Sequence, residues 1–295
     1  QAKTLFPYTT LFRSIFTLMD GISADHYPTI LRNLFAGLSP DEKFQVVMTE
    51  QERSGDPLDT AMAWYSAESI EVIREGLTIA QWEQILTSPH DNSHDRPIDV
   101  IYSKETADAL LKGFDSKSRT KLLTTCGQNG ELALISGLEE GGPELATALL
   151  EGLDHDDMMQ ALKTPNKKGE FPLLNVAKIA EVNNYWDTLT AISAFLSDDE
   201  YTDLLGHYDR DFFPLPLLFS GKNGATIVRH LLERLDPDHI CTLLSARNQS
   251  NFTMLEFLCK KGFKEEEINI FFEKLNSAQR LKVLTAPTLG KRSSV

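Results

Sequence analysis

A short pattern of hydrophobic and polar positions recurs seven times along the chain. In each copy two adjacent apolar residues are followed by a single apolar residue, here called the anchor, and then by a polar residue. The anchors lie 39, 37, 39, 43, 39 and 40 residues apart, which predicts a structural repeat of about 39 residues. The seven anchors are Leu38, Leu77, Phe114, Leu153, Leu196, Leu235 and Leu275.

The residue after each anchor favours the start of a helix. It is always Ser, Thr, Asp or Asn, whose side chains accept hydrogen bonds from the unpaired amides of a first helical turn. The eighth and ninth residues after each anchor are apolar at all seven copies. We therefore predict a short helix from the capping residue to this second apolar pair. The capping residues are Ser39, Thr78, Asp115, Asp154, Ser197, Asp236 and Asn276.

Each repeat is predicted to hold three short helices, A, B and C. Helix A opens at an apolar residue, helix B ends on the anchor, and helix C follows the capping residue. Helices this short need neighbours to be stable, so the predicted fold is all-α, an α-solenoid of about seven repeats. Predicted starts of helix A are Pro57, Pro97, Pro172, Pro214 and Met254. Predicted units are 15–55, 56–95, 96–129, 130–168, 169–210, 211–249 and 250–286, with a tail at 287–295.

Several segments resemble the ankyrin repeat, whose first helix opens with G-x-T-P-L-H-x-A. "KKGEFPLLNVAK" (167–178) and "DRDFFPLPLLF" (209–219) are similar to that opening, and "GATIVRHLLERLD" (224–236) is similar to the second helix. "LDPDHICTLL" (235–244) and "LSPDEKFQVV" (38–47) resemble the additional helix of a longer ankyrin variant found in host-associated bacteria. The resemblance implies a protein–protein interaction scaffold that acts as an effector or host-interaction protein.

The chain departs from the ankyrin motif at its histidine. The residues at that position are Asp59, Asp99, Leu174, Pro216 and Glu256, and the motif threonine is also replaced. The hydrogen bonds that those two residues provide in ankyrin repeats are therefore not expected here. A HEAT-like or other helical repeat is the alternative family.

The first residues fall outside the repeat pattern. "LFPYTTLFRS" (5–14) resembles the in-frame translation of a sequencing-adapter oligonucleotide. We expect residues 1–14 to be non-native and the natural N-terminus to be missing. The alternative is a hydrophobic cap at the end of the repeat array.

Composition narrows the classes of partner. The formal net charge of −14 repels phosphate backbones, so we expect no nucleic-acid partner. No apolar run reaches the roughly 18–20 residues that span a bilayer, so no membrane partner is expected. The three cysteines are far apart and form no CxxC pair, which favours a reducing cytosol, bacterial or host. We expect a monomer that binds a protein with a basic or mixed-charge surface.

Candidate chemistry is sparse. His90 and His94 have the spacing of a zinc-binding helix, but they lie in a predicted turn between prolines, which favours a solvated loop. A metal or small-molecule site there remains an alternative.

Acidic clusters at 154–157, 197–200 and 264–267 coincide with predicted first helical turns, where they offset the helix dipole. Nothing in the sequence brings Cys126 near a histidine. We expect no enzyme activity, no cofactor and no metal.

Exposed aromatic residues are the candidates for partner binding. The longest repeat carries about four additional residues around "EVNNYWD" (181–187), and insertions in solenoids often form the binding face. Tyrosine and tryptophan are enriched at binding hot spots. The predicted partner-binding residues are Trp64, Tyr65, Tyr185, Trp186, Tyr208 and Phe212. Packing of Trp186 onto the repeat array is the alternative.

The alternative function for the whole chain is a targeting module of a larger effector enzyme whose catalytic domain lies upstream.

Overall fold

The computed structural model describes residues 24–51, 57–63, 66–89, 96–183, 186–207, 213–221 and 223–286. Within these ranges the protein has 19 α-helices, three short 3-10 helices and no β-strand, so the all-α prediction is confirmed. None of these helices combines the length and the apolar character that crossing a membrane requires. The predicted non-native segment, residues 1–14, lies outside the described residues.

The chain divides into two compact units, Gln1–Ala161 and Leu162–Val295. The first unit contains α1 to α9 and nearly all of α10. Its helices are α1 (Tyr27–Phe35), α2 (Pro40–Gln51), α3 (Pro57–Ala63), α4 (Ala67–Arg74), α5 (Ile79–Thr87), α6 (Lys104–Leu111), α7 (Ser116–Thr124), α8 (Ala133–Glu140), α9 (Gly142–Glu151) and α10 (His155–Leu162).

The second unit contains α11 to α19. They are α11 (Pro172–Asn183), α12 (Trp186–Ser193), α13 (Asp198–Gly206), α14 (Pro214–Leu217), α15 (Gly224–Glu233), α16 (Pro237–Ser245), α17 (Met254–Lys261), α18 (Glu265–Phe272) and α19 (Ser277–Leu284). The 3-10 helices are Ala24–His26 and Pro97–Asp99 in the first unit and Leu218–Ser220 in the second.

All seven predicted capping residues stand immediately before a helix. These helices are α2, α5, α7, α10, α13, α16 and α19. The carbonyl of each capping residue accepts the amide of the fourth residue beyond it, at 2.8–3.1 Å. Six of the seven side chains also accept an amide of the first turn. The predicted helix starts are therefore confirmed.

The second apolar pair is buried along almost the whole chain. Thirteen of its 14 side chains are at most 5% exposed, from Val46 to Val283. The exception is Leu284 on α19, which is 65% exposed. Burial of these residues holds each helix C against the core.

Helix B does not end on the anchor, and that prediction is wrong by two to three residues. For example, α4 ends at Arg74 while its anchor is Leu77. Gly76 and Gly113 have positive φ angles of 82° and 79°, a left-handed conformation that ends the helix. Beyond this turn, every anchor amide donates to the carbonyl three residues earlier, at 3.0–3.3 Å.

Helix A begins at four of its five predicted starts, Pro57, Pro172, Pro214 and Met254. At Pro97 the chain forms only a 3-10 helix of three residues. There the buried guanidinium of Arg96 binds both carboxylate oxygens of Asp99, at 2.6 and 2.8 Å, and the Thr125 carbonyl at 2.6 Å. This ion pair fixes the short turn, and Ser103 caps α6 soon afterwards.

Helices pack on their counterparts one repeat period later. In the first unit α1 contacts α4, α4 contacts α6, and α6 contacts α9, while α2 contacts α5. In the second unit α13 contacts α16 and α16 contacts α19, while α15 contacts both α11 and α18. These contacts pair helices B with helices B and helices C with helices C, and α15 also packs on α11, which is a helix A.

Candidate functional site

The predicted partner-binding residues fall mostly outside the described part of the chain. Trp64, Tyr65, Tyr185, Tyr208 and Phe212 all lie there, as do His90 and His94 of the alternative metal site. Trp186 is described and is the first residue of α12. The role of these aromatic residues in binding stays a prediction.

Trp186 is half-buried and stacks on a histidine from another helix. Its ring centroid lies 4.0 Å from that of His230 on α15, with an angle of 48° between the two ring planes. His230 Nδ1 in turn lies 3.3 Å from a carboxylate oxygen of Glu233. Part of the indole is packed and part faces solvent.

One turn before His230 on α15, Ile227 lines a groove of about 370 Å³, here called the Leu217 groove. The groove lies in the second unit, between the start of α11 on one side and residues 214–227 on the other. Its apolar side chains are Phe171, Leu174, Pro214, Leu217, Leu218 and Ile227. Of these, Leu217 is the most open, with 46% of its surface exposed. A groove with an exposed leucine at its mouth is suited to binding an apolar group.

A tight turn places the floor of the groove. The amide of Asn166 donates to the Glu170 carbonyl and that of Gly169 donates to the Asn166 carbonyl, both at 3.0 Å. The buried Asn166 side chain also accepts the amides of Lys168 and Glu170 at 2.9 Å. Gly169 adopts a φ of 81°, which suits glycine. Phe171 follows this turn and is 4% exposed.

The wall of the groove opposite Phe171 forms where the backbone at the start of α15 comes close to the 3-10 helix Leu218–Ser220. A Cβ atom at Gly224 would lie 2.2 Å from the carbonyl oxygen of Leu218, so glycine is required for α15 to begin this near the 3-10 helix. The short helix α14 ends at Leu217, where the chain turns. Leu215 on the same helix is fully buried, whereas Leu217 faces the groove.

Charged side chains of both signs lie at the rim of the groove. The lysines are Lys168 and Lys178, both exposed, and the carboxylate is Glu170. Glu170 accepts from Asn166 Nδ2 at 2.9 Å and from Lys178 Nζ at 3.0 Å. Burial raises the pKa of the Glu170 carboxyl, but these hydrogen bonds and the lysine charge outweigh it and hold the pKa below its usual range. Among the described residues that line the groove, two are therefore cations and one is an anion.

Lys43 is the most strongly buried amine with a shifted pKa in the described chain. Its Nζ donates to the carbonyls of Val72 and Glu75, at 2.5 and 2.7 Å, and lies 4.7 Å from the centre of the Phe35 ring. Burial lowers the pKa of the ammonium to about 8. Lys274 makes similar bonds to carbonyls at the end of α15. Both amines satisfy carbonyls at helix C-termini, which is a structural role.

Cysteine thiols and potential metal ligands form no shared site among the described residues. Of the cysteines, Cys126 is half-buried, Cys241 is buried and Cys259 is exposed, and none forms a disulfide. Burial raises the pKa of the Cys241 thiol, which keeps it protonated at neutral pH. Within the ranges that the structure describes, no cluster of three or more His, Cys, Asp or Glu residues could hold a metal ion.

The groove was not predicted from the sequence. Its one local signal is the turn "PNKKGEF" (165–171), which the repeat pattern identified only as a connection. Comparison with known proteins gives no further assignment, since no family model, no curated protein and no solved structure matches the chain.

Proposed function

We propose that this protein is a protein–protein interaction scaffold, an α-solenoid of about seven ankyrin-like repeats. The observation that carries the proposal is a pair of backbone hydrogen bonds that recurs at all seven anchors. At each one the anchor amide donates to the carbonyl three residues back, and the next residue accepts the first bond of a new helix. A recurring turn at a spacing near 39 residues is what stacked helical repeats require.

Contacts between successive copies support the same proposal. In three of the seven repeats the fifth residue after the anchor lies on helix C and donates to a carbonyl near the end of the following helix B. Lys43 binds the Val72 carbonyl, Trp82 the Leu110 carbonyl and Tyr201 the Leu231 carbonyl. In solenoids each repeat contacts mainly its neighbours, and these bonds have that character.

The proposed partner-binding surface follows α11, α12 and α15 of the second unit. The Leu217 groove and the Trp186–His230 pair share α15, where Ile227 and His230 are one turn apart. The half-buried indole of Trp186 and the exposed side chain of Leu217 offer the apolar contact that binding hot spots need. The mixed charge at the groove favours a protein partner that carries both signs. Trp64, Tyr65, Tyr185, Tyr208 and Phe212 remain proposed partner-binding residues.

A capture experiment with a matched variant tests this function. Residues 15–295 are immobilised and exposed to host-cell lysate, and bound proteins are quantified for wild type, Trp186→Ala and Ile79→Ala. Ile79 is 42% exposed on α5 and serves as the control. We expect Trp186→Ala to reduce the yield of a reproducible partner by about tenfold. Ile79→Ala should capture as wild type does.

Stability of the variants must be measured in parallel. Loss of the stacked pair with His230 should cost about 1 kcal/mol in the free energy of unfolding. Equal capture by wild type and Trp186→Ala would contradict the proposed surface, and absence of any reproducible partner would contradict the scaffold function.

A further inference from the structure

We propose that two copies of this protein associate through α19, the last described helix, to form a weak dimer with two-fold symmetry. Ala278, Leu281 and Leu284 lie along one side of α19 and are all exposed, and this face is here called the α19 stripe. The inference goes beyond the scaffold function and does not depend on it, because it is carried by the packing of the helices C. It replaces the monomer expected from the sequence.

The face that the stripe occupies is buried on earlier helices C. Leu284 is the ninth residue after its anchor, and the ninth residue of the other six copies is at most 1% exposed. Leu281 is the sixth residue, and its counterparts on α13 and α16, Thr202 and Cys241, are 4% and 2% exposed. On α19 the two leucines are 61% and 65% exposed. The stripe is therefore the face that the earlier helices cover by packing.

Contacts between α16 and α19 show which way this face points. The Cys241 thiol on α16 lies 3.9 Å from the Gln279 carbonyl oxygen, and Gln279 Nε2 donates to Asp238 on α16 at 3.0 Å. Asp238 and Cys241 are the third and sixth residues after their anchor. Their counterparts on α19 are Ala278 and Leu281, so the stripe continues the surface by which each helix C holds the next one.

The stripe lacks the polar groups that join successive helices C elsewhere in the chain. Four such pairs use the third or sixth residue after the anchor, at 2.6–3.1 Å, and they are Asp41 with Gln81, Glu83 with Lys121, Asp199 with His239, and Asp238 with Gln279. On α19 these two positions are Ala278 and Leu281. Terminal repeats of soluble arrays carry a polar outer face, so an apolar one favours a partner that covers it.

A second copy of α19 is complementary to the stripe. When two such helices run antiparallel about a two-fold axis at Leu281, the two Leu281 side chains face each other. Ala278 of each copy then faces Leu284 of the other, so that a small side chain leaves room for a large one at both ends. This contact needs no polar pair, which the stripe does not offer.

The charged side chains of α19 are engaged away from the stripe. Arg280 donates to the carbonyls of Leu275 and Phe272 in its own repeat. Lys282 lies close enough to Cys241 on α16 to act electrostatically on its thiol. The net charge of −14 on each chain opposes association at longer range, so the dimer should become tighter when salt is raised.

The sequence after α19 does not predict a helix that would cover the stripe. Residues 287–295 read PTLGKRSSV, with a glycine in the middle and only Leu289 and Val295 of the residue types that form the second apolar pair. The dimer should be weak, because three side chains on each copy bury less than the roughly 1,200 Å² of a stable complex.

Sedimentation velocity of the full chain at about 5 μM to 1 mM tests the assignment. We expect a monomer at the lowest concentration and a growing fraction of dimer above about 50 μM, without larger species. Leu281→Ser should weaken the dimer at least about tenfold, because the change falls on both copies at the axis. Ile79→Ser removes an apolar side chain that is 42% exposed on α5 and should sediment as wild type does. Unchanged circular dichroism spectra establish that both variants fold.

A cysteine variant tests the symmetry. In a Cys259→Ser background, which removes the exposed native thiol, Leu281→Cys should form a disulfide between two copies when oxygen is present. Ile79→Cys in the same background should remain largely unlinked. The disulfide should form faster at higher protein concentration, because it requires the dimer.

Four results would overturn the assignment. They are a monomer at every concentration, association that Leu281→Ser leaves unchanged, species larger than a dimer, and a dimer that forms only after residues 287–295 are deleted. The third result would indicate head-to-tail stacking, and the fourth would identify these residues as the occupant of the stripe. None of them affects the capture experiment with Trp186→Ala, so the scaffold function is tested separately.

Discussion

The indole Nε1 of Trp82 donates a 2.9 Å hydrogen bond to the carbonyl oxygen of Leu110, near the C-terminus of α6. Trp82 is fully buried on α5, so this bond joins the interior of one helix to the end of another. Lys43 and Tyr201 serve the same purpose with an amine and a phenol. Three repeats thus place a long side chain with a donor at its tip at this position, whereas Met158 and Ile240 stand at the same position without one.

Trp82→Phe should destabilise the protein by about 1–3 kcal/mol, because it leaves a buried carbonyl without its donor and reduces packed volume. The free energy of unfolding is measured by urea denaturation. Ile79→Ala on the same helix changes an exposed side chain and should cost less than about 0.5 kcal/mol. A cost for Trp82→Phe as small as that of the control would mean that the bond contributes nothing.

Leu232→Ala should cost about 2–5 kcal/mol, since Leu232 is 3% exposed on α15 and its truncation leaves a cavity. Leu284→Ala is the matched control, because it removes the same atoms from a leucine that is 65% exposed. We expect the control to cost under about 0.5 kcal/mol. Similar values for the two variants in urea denaturation would contradict the burial of α15.

The sequence was sufficient for features that depend on neighbouring residues. A capping residue such as Thr78 bonds the amide of Gln81, three residues away, so its type and spacing predict the helix start. Starts such as Pro172 were predictable for the same reason, since proline suits a first turn. The end of helix B was misplaced because the chain leaves the helix two to three residues before the anchor, in three repeats through a left-handed glycine, Gly37, Gly76 or Gly113.

Features that depend on distant residues were not predictable. Phe171 and Leu217 meet in one groove although 46 positions separate them. The run "FFPLPLLF" (212–219) is apolar throughout, so its periodicity cannot tell the buried Leu215 from the exposed Leu217. Leu284 has the residue type and spacing of the second apolar pair, whose other members are buried. It is exposed because no further helix covers it among the described residues.

His239 on α16 lies close to two carboxylates, one of them on α13, and we expect it to make the stability of the fold depend on pH. Its Nε2 lies 3.1 Å from Asp199 on α13, and its Nδ1 lies 2.9 Å from Asp236, close enough for an ion pair but outside hydrogen-bond geometry. Burial lowers the pKa of the imidazole, but the two aspartates outweigh it and raise the pKa above its ordinary value of 6.5. The folded state therefore binds this proton more tightly than the unfolded state.

The stabilisation that the His239 imidazole contributes is complete below its ordinary pKa of 6.5. It is lost as the pH rises through the raised pKa of the folded state. The free energies of unfolding of wild type and His239→Gln are compared by urea denaturation between about pH 6 and pH 9. Wild type should be the more stable protein at the acidic end, and this difference should disappear as the pH rises. Glutamine cannot titrate in this range, so the variant isolates the imidazole. A difference between the two proteins that is constant with pH would exclude this proton linkage.

Gly224→Ala should cost more than Gly262→Ala, because the two glycines are required for different reasons. A Cβ at Gly224 would lie 2.2 Å from the Leu218 carbonyl oxygen and 2.5 Å from Phe219 Cα, so the backbone of the groove wall must move. Gly262 ends α17 with a φ of 75° and has no atom within 4 Å of its added Cβ, so alanine there meets only backbone strain, about 1–2 kcal/mol. Overpacking adds about 1–3 kcal/mol at buried positions and is expected to reach the upper end at Gly224. Urea denaturation measures both costs. A cost for Gly224→Ala no larger than the cost for Gly262→Ala would mean that α15 does not approach the Leu218 segment this closely.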